Sequence, residues 1–406
     1  MSALNRSIED IRAEFPGLAD GWAPLDGAAG TQVPTAVIEA IAAALRDGMA
    51  NQHGAFAASQ RSTAIVEEAR RAVADLVNGR PEGVVLGPNM TTLTFHVSDA
   101  LSRAWSPGDE VVVTSLDHDA NVRPWVIAAE RAGATVRWAE FDPSTGELAP
   151  ECFDGLIGHR TRLVAVTAAS NAIGSRPDVS AIAQRAHAAG ALVYVDGVHA
   201  TPHVPTDMAA LGADFYAFST YKLFGPHAGA VVADPVLLDS LTPAKLAPAD
   251  DAVPDRFERG TPAFELQAGI TAVVDWLAGL TDAGAGAGAA RRERLVAALT
   301  AVEAYLAGLL RQALDGLASI GGVRVLPAPA RRTSTLSFVV EGRSPLAVAE
   351  HLAQRRVSVW NGDNYAYELM GRFGLQDSGG AVRASLVLYN TAADVDRLLE
   401  AVAELA

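Results

Sequence analysis

Asp196 and Lys222 have the residue types and the spacing to do chemistry together. Asp196 closes the apolar run ALVYVD (191–196), and Lys222 sits in AFSTYKLFGP (217–226). A carboxylate at the end of a buried strand, followed by a lysine in a Ser-rich turn that ends on glycine, suits pyridoxal phosphate (PLP). The amine forms a Schiff base with the aldehyde, and the carboxylate keeps the pyridine nitrogen protonated so that the ring accepts electrons. An edge aspartate and a surface lysine would spell the same two letters, so the neighbouring segments must decide.

Three of those segments carry further candidates. GPNMTT (87–92) puts Thr91 and Thr92 at the start of a helix, where free amides and two hydroxyls make an anion site for a phosphate; simple N-capping is the plainer reading. LDHDAN (116–121) offers His118, an imidazole able to stack on a pyridine ring and move protons. Asp117 and Asp119 flank it, but adjacent residues do not easily converge on one metal ion. DGVHATPHVPTD (196–207) brings Asp196, His199, His203 and Asp207 into one stretch. Pro202 and Pro205 break the helix that a zinc-binding pair of histidines would need, so no metal is expected. His203 and Asp207 read as turn and capping residues, and His199 as a partner for the cofactor's phenolic oxygen.

The elements that must position these residues alternate. GVVLG, EVVVT, RLVAVT, ALVYVD, FYAFS and AGAVVAD read as buried strands, separated in the earlier part by helical patterns such as IVEEARRAVADLV and VSAIAQRAHAAG. Such alternation predicts an α/β fold with a mostly parallel sheet between helices, binding its ligand at the carboxyl ends of the strands. After Leu280 the Gly/Ala-rich stretch TDAGAGAGAARRER leads into a long helix and a smaller α+β part with strands TLSFVV, VSVW and RASLVLY. We therefore divide the chain into a large domain, 22–280, and a small one made of 1–21 and 281–406. The 284–289 stretch fits a dinucleotide G-x-G-x-x-A pattern but follows a helix rather than a strand, and reads as linker.

Composition narrows the classes. Half of the 406 residues are hydrophobic and the formal charge is −15, which affords a large core and argues against nucleic acid or an anionic membrane as partner. The single cysteine, Cys152, excludes an intrachain disulfide and a Cys-rich metal site. The charged N-terminal segment lacks a signal-peptide core and no apolar run reaches the ~18 residues of a membrane span, so a soluble, cytoplasmic protein is expected.

Together, HDANVRPW, SNAIGS, VDGVHATPHVPTD, DFYAFSTYKLFGPHAG and RASLVLYN resemble the class V aminotransferase group of fold-type I PLP enzymes, in its cysteine desulfurase and selenocysteine lyase branch. The resemblance runs from LDGAAGTQVP (25–34) almost to the end of the chain. It implies a fold-type I transferase with a seven-stranded sheet and a smaller C-terminal domain. It makes Lys222 the Schiff-base lysine, Asp196 the pyridine partner and His118 the ring-stacking residue. Asn171 would contact ring or substrate, and Thr91, Thr92 and Ser219 the phosphate. Thr261 would reach the phosphate of a second subunit, implying a homodimer with shared sites. Arg383 would grip the α-carboxylate of an amino-acid substrate.

Departures from the pattern fall on the substrate side. Tyr365, in VWNGDNYAYELM (359–370), takes the place of the branch's persulfide cysteine, and Cys152 lies outside every motif. Tyr221 stands where the family has histidine, His199 where the desulfurases have glutamine, and Trp360 where an arginine lies near the substrate. The implied activity is PLP chemistry on an amino acid whose amine takes over the Schiff base, with C–S or C–Se β-lysis favoured and no persulfide relay. Transamination or epimerisation is the alternative, and a non-catalytic PLP-fold binding protein the second. The loop DNYAYELM (363–370) and His53, Arg123, Tyr221 and Trp360 are expected to shape the pocket, with Asp363 favouring a distal cationic group on the substrate.

Overall fold

Along the central strands, consecutive side chains enter different cores. In Leu192–Asp196, Val193 and Val195 pack on one side and Tyr194 on the other; in Phe215–Ser219, Tyr216 and Phe218 oppose Phe215 and Ala217. A strand buried on both faces must be apolar at nearly every position, which is why these segments read as unbroken apolar runs. The computed structural model, which describes residues 4–282 and 290–405, assembles seven strands into one sheet. The 284–289 stretch read as linker lies outside the described residues.

The strand order across the sheet is Val84–Gly87, Gly229–Ala233, Phe215–Ser219, Leu192–Asp196, Thr161–Thr167, Glu110–Thr114 and Thr135–Ala139. Gly229–Ala233 runs antiparallel to both neighbours and the other pairings are parallel. Helices Met90–Leu101 and Arg123–Ala132 pack on one face, and Ala57–Val77, Val179–Ala188 and Phe264–Ala278 belong to the core of the other. The seventh strand, Thr135–Ala139, escapes a search for apolar runs because it is an edge strand with only Ala139 fully buried.

A four-stranded antiparallel sheet lies in the C-terminal part, in the order Trp360–Gly362, Ala381–Ser385, Thr335–Val340, Val323–Val325. The run VSVW is divided: Val357–Ser358 pairs in parallel with Ala23–Pro24, and Trp360 begins the next strand. RASLVLY leaves the sheet after Ser385, where the Leu386 N–H turns to the Ser334 carbonyl (2.9 Å). The long helix spans Arg291–Ser319, and the last helix, Ala392–Ala403, starts on a capping box between Thr391 and Asp394. No helix among the described residues is long and apolar enough to cross a membrane.

The helix Met90–Leu101 meets the sheet at a glycine. Asn89 caps it by accepting the Thr92 N–H (2.8 Å), and the Met90 N–H donates to Ser219 Oγ (2.9 Å). A Cβ on Gly229 would stand 2.5 Å from the Asn89 carbonyl carbon and 2.6 Å from the Met90 nitrogen. Both obstacles are backbone, so they cannot rotate away. Gly229→Ala is expected to destabilise the fold by about 1–3 kcal/mol, read as a lower denaturation midpoint, while Gly158→Ala, with nothing within 4 Å of its Cβ, stays close to the parent.

Candidate active site

Four neighbouring parallel strands end on the same edge of the sheet, and each feeds a side chain into one recess. His118 follows Glu110–Thr114, Asn171 follows Thr161–Thr167, His199 follows Leu192–Asp196 and Lys222 follows Phe215–Ser219. Thr91, Asp196, Ser219 and Tyr221 are also among the lining residues. The recess opens into a cleft of about 690 Å³ to which Arg383, Trp360, Asp363, Tyr365 and Arg123 are added.

Asp196 is 4 % exposed and Lys222 7 %. Burial pushes the Asp196 carboxyl above its ordinary range, against the pull of the Val198 N–H (2.9 Å to Oδ1) and the Lys222 ammonium. Burial, reinforced by the Arg383 guanidinium, pushes Lys222 below the ordinary lysine range, and Asp196 draws it back. Arg383 itself is 5 % exposed and pushed down to about 10 by burial, against the pull of the Asp26 carboxylate, and makes no ion pair with a described residue. Its one side-chain hydrogen bond to a described residue runs from Nη1 to the Asn171 carbonyl (3.1 Å).

His118 Nδ1 accepts the Ala120 N–H (3.0 Å), which leaves the ring proton on Nε2. Burial, then the charges of Lys222 and Arg383, push its pKa down to about 3, so the ring is neutral at pH 7. Behind it, Thr114 Oγ1 and Asn121 Nδ2 donate to Asp117, whose carboxyl burial pushes up to about 8. This knot fixes the turn that carries His118.

The loop bearing Trp360 and Tyr365 is tied across the recess through its backbone. The Asp119 N–H donates to the Tyr365 carbonyl (2.7 Å) and Asn171 Nδ2 to the Asn364 carbonyl (2.8 Å). Asn364 and Tyr365 take left-handed φ values of 55° and 54°, and the Tyr365 ring stacks on His118 with centroids 5.4 Å apart. With its nitrogen committed to Asn364, the Asn171 amide keeps a buried Oδ1 that has no partner.

The sequence-derived candidates divide accordingly. Lys222, Asp196, His118, Asn171, His199, Ser219, Thr91, Tyr221, Trp360, Tyr365 and Arg383 converge on the recess and its cleft. Thr92 and His53 line neither, and exposed Thr261 lines a separate groove with His96 and Arg259. Unforeseen were Asn364, which holds Asn171, and Thr335, whose Oγ1 meets His199 Nε2 (2.9 Å) and Ser385 Oγ (2.6 Å). Asp-Asn is a common prelude to left-handed backbone, the one signal that marked Asn364.

The description of the aminotransferase class-V family matches residues 24–398. The chain belongs to that family. It is 36% identical over 98% of its length to the uncharacterized protein MT3887 of Mycobacterium tuberculosis, covering 99% of that protein. To the cysteine desulfurase of Klebsiella pneumoniae subsp. pneumoniae it is 33% identical, with 97% of each chain covered. The apo structure of the cysteine desulfurase from Thermococcus onnurineus NA1 superposes with a TM-score of 0.89 at 28% identity, covering 99% of both chains. The fold is that of the fold-type I PLP transferases, and the chain is a PLP-dependent enzyme of this class.

The residues present fit PLP. A buried lysine able to hold an aldehyde and a buried carboxylate able to hold a protonated ring nitrogen line one recess, and the Asn171 Oδ1 beside them is buried without a partner among the described residues. Gly229 lets the amino end of helix Met90–Leu101 approach the sheet beside Ser219, as a phosphate cradle requires.

Three buried histidines make the region acid-sensitive. His203, 2 % exposed, packs on His199 with centroids 4.7 Å apart and sets its ring nitrogens 2.8 Å and 3.2 Å from the carbonyls of His199 and Leu386. Burial pushes its pKa down to about 4, against the pull of the two carbonyls, which only accept and so favour the protonated ring. Between that value and the unfolded ~6.5, the unfolded chain binds a proton that the folded chain refuses, so stability falls as pH falls. His118 and His199 act in the same direction, Asp117 and Asp196 in the opposite one. His203→Gln is expected to make the loss of stability between pH 6 and pH 5 shallower by about 1.4 kcal/mol per pH unit, measured by denaturant unfolding at each pH; an unchanged slope contradicts a neutral buried His203.

Proposed function

We propose that this enzyme cleaves a C–S or C–Se bond at the β-carbon of an amino acid, without a persulfide relay. The observation that carries the reading is the meeting of buried Lys222 and Asp196 with Arg383, whose guanidinium feels the Asp26 carboxylate but makes no ion pair with a described residue and so can take a substrate carboxylate. PLP, when bound, supplies the electron sink. Arg383 orients the substrate through its α-carboxylate. Lys222, whose amine burial makes easier to deprotonate, would hold the cofactor by its aldehyde and, once the substrate amine had replaced it there, would be the base for the proton on Cα. Asp196, with one oxygen held by the Val198 N–H, keeps the other for the ring nitrogen. Neutral His118 covers the ring and holds its proton at Nε2.

The case against a relay rests on position. The 359–370 loop contains no cysteine, and Cys152 sits in the short 3-10 turn Pro150–Phe153, outside recess and cleft, with its thiol pushed up by burial. Two organisational readings belong to the same proposal. One is the division into 22–280 and the remainder, the first contributing Lys222, Asp196 and His118 and the second Arg383, Trp360 and Tyr365. The other is a homodimer in the cytoplasm, supported by Thr261, which is exposed and away from its own recess and so free to reach a second subunit, and by a lone cysteine suited to a reducing compartment.

The deciding experiment follows the visible spectrum of the PLP-loaded enzyme and its products during addition of L-cysteine, L-selenocysteine and L-alanine. Release of pyruvate with sulfide or selenide supports β-lysis. Conversion of the cofactor to its amine form makes the enzyme a transaminase, and loss of optical activity without product an epimerase. Lys222→Ala is expected to cost about 10³-fold in turnover, whereas a binding protein would keep its biological effect. Cys152→Ser is expected to turn over like the parent; a collapse of sulfur release in that variant would establish a relay through Cys152.

A further inference from the structure

Taking the cleft as an amino-acid site, we infer that the side chain of its substrate ends in a cation: an ammonium, a quaternary ammonium or a guanidinium. The two ends of the cleft differ in charge. At the inner end Arg383 awaits a carboxylate, and the unpartnered Asn171 Oδ1, on a residue 5 % exposed, requires a hydrogen-bond donor such as an amine. Toward the mouth the sign reverses. Asp119 and Asp363 line the wall, and Glu368 stands 3.9 Å from Arg123 Nη2. Arg123 is the one guanidinium there among the described lining residues, and it is already engaged by Asp119 at 3.1 Å. Among the described residues Asp363 has no cationic partner; its side chain accepts the Tyr365 N–H (2.9 Å) through Oδ1.

The aromatic groups beside these carboxylates point the same way. Trp360 is 52 % exposed and Tyr365 72 %, an uncommon exposure for rings that line a cleft. A ring face attracts a cation, and a carboxylate next to it adds charge complementarity. A distal anion would meet two lining carboxylates against one guanidinium that Asp119 already engages. A neutral aliphatic chain would gain only burial and leave Asp363 without a counter-charge. The mouth thus selects by charge, while Arg383 and Lys222 handle the groups common to all amino acids.

The test titrates the PLP-loaded enzyme with L-arginine, L-lysine, L-citrulline and L-norleucine, reading apparent affinity from the change in cofactor absorbance. Arginine and lysine are expected to bind about tenfold more tightly than citrulline and norleucine, with the difference shrinking as salt is raised. Asp363→Asn and Trp360→Leu are each expected to reduce that ratio about threefold. Equal affinities for arginine and citrulline, or a ratio untouched by both substitutions, overturn the inference while the amino-acid reading stands. No spectral response to any of the four overturns both.

Discussion

The buried pair of Lys222 and Asp196 is the constraint around which the rest is arranged. Taking an ammonium and a carboxylate out of water costs several kcal/mol for each ion, and both groups respond by shifting toward neutrality. Their mutual attraction opposes that shift, so each holds the other's charge. This requires the two elements that carry them to be fixed neighbours. Leu192–Asp196 and Phe215–Ser219 are adjacent in the sheet, with Asp196 in register with Ala217, and cores on both faces keep water from the strands. Rigidity here is a condition of the charge state.

Arg383 adds a third charge from a different sheet, and its position is held by that sheet's register. Trp360 lies directly opposite it across the strand pair, so the residue that awaits a carboxylate and the ring at the cleft wall are set by one pairing. The two sheets are joined beside the site by a short polar chain, His199 to Thr335 to Ser385, all buried. Ser385 is two residues from Arg383 on the same strand. A change in the strand's position is therefore felt at His199, and the reverse holds as well.

Most of the large sheet was legible because burial on both faces imposes an apolar run that no other element of that length needs. Thr135–Ala139 was not, since an edge strand is relieved of that demand and keeps Thr135 and Arg137 toward solvent. The candidate site was legible where a chemical group follows a strand end: Asp196, His118, Asn171 and Lys222 all do. It was illegible where placement depends on contacts made hundreds of residues apart. Nothing in the sequence ties Asn171 to Asn364, 193 positions away, or Thr335 to His199. Thr92 shows how little a helix start alone fixes, for its amide is taken by the Asn89 cap and it lies outside the lining of the recess.

The Asn171 amide links the loop to the site more tightly than its size suggests. It has one nitrogen and one oxygen to offer, and the nitrogen is committed to the Asn364 carbonyl. The orientation of the oxygen, the only acceptor that Asn171 can present to a ligand, is therefore decided by where the 359–370 loop sits. If the loop lifted, the amide would be free to rotate and the acceptor would lose its direction, while Asp119 would lose the Tyr365 carbonyl at the same moment. A cysteine that shuttles sulfur outward needs a loop that can leave. A loop whose departure unmakes the substrate site is better suited to staying, with Tyr365 packed on His118 as part of the wall. The proposed loss of the relay and the tied loop are thus two expressions of one arrangement.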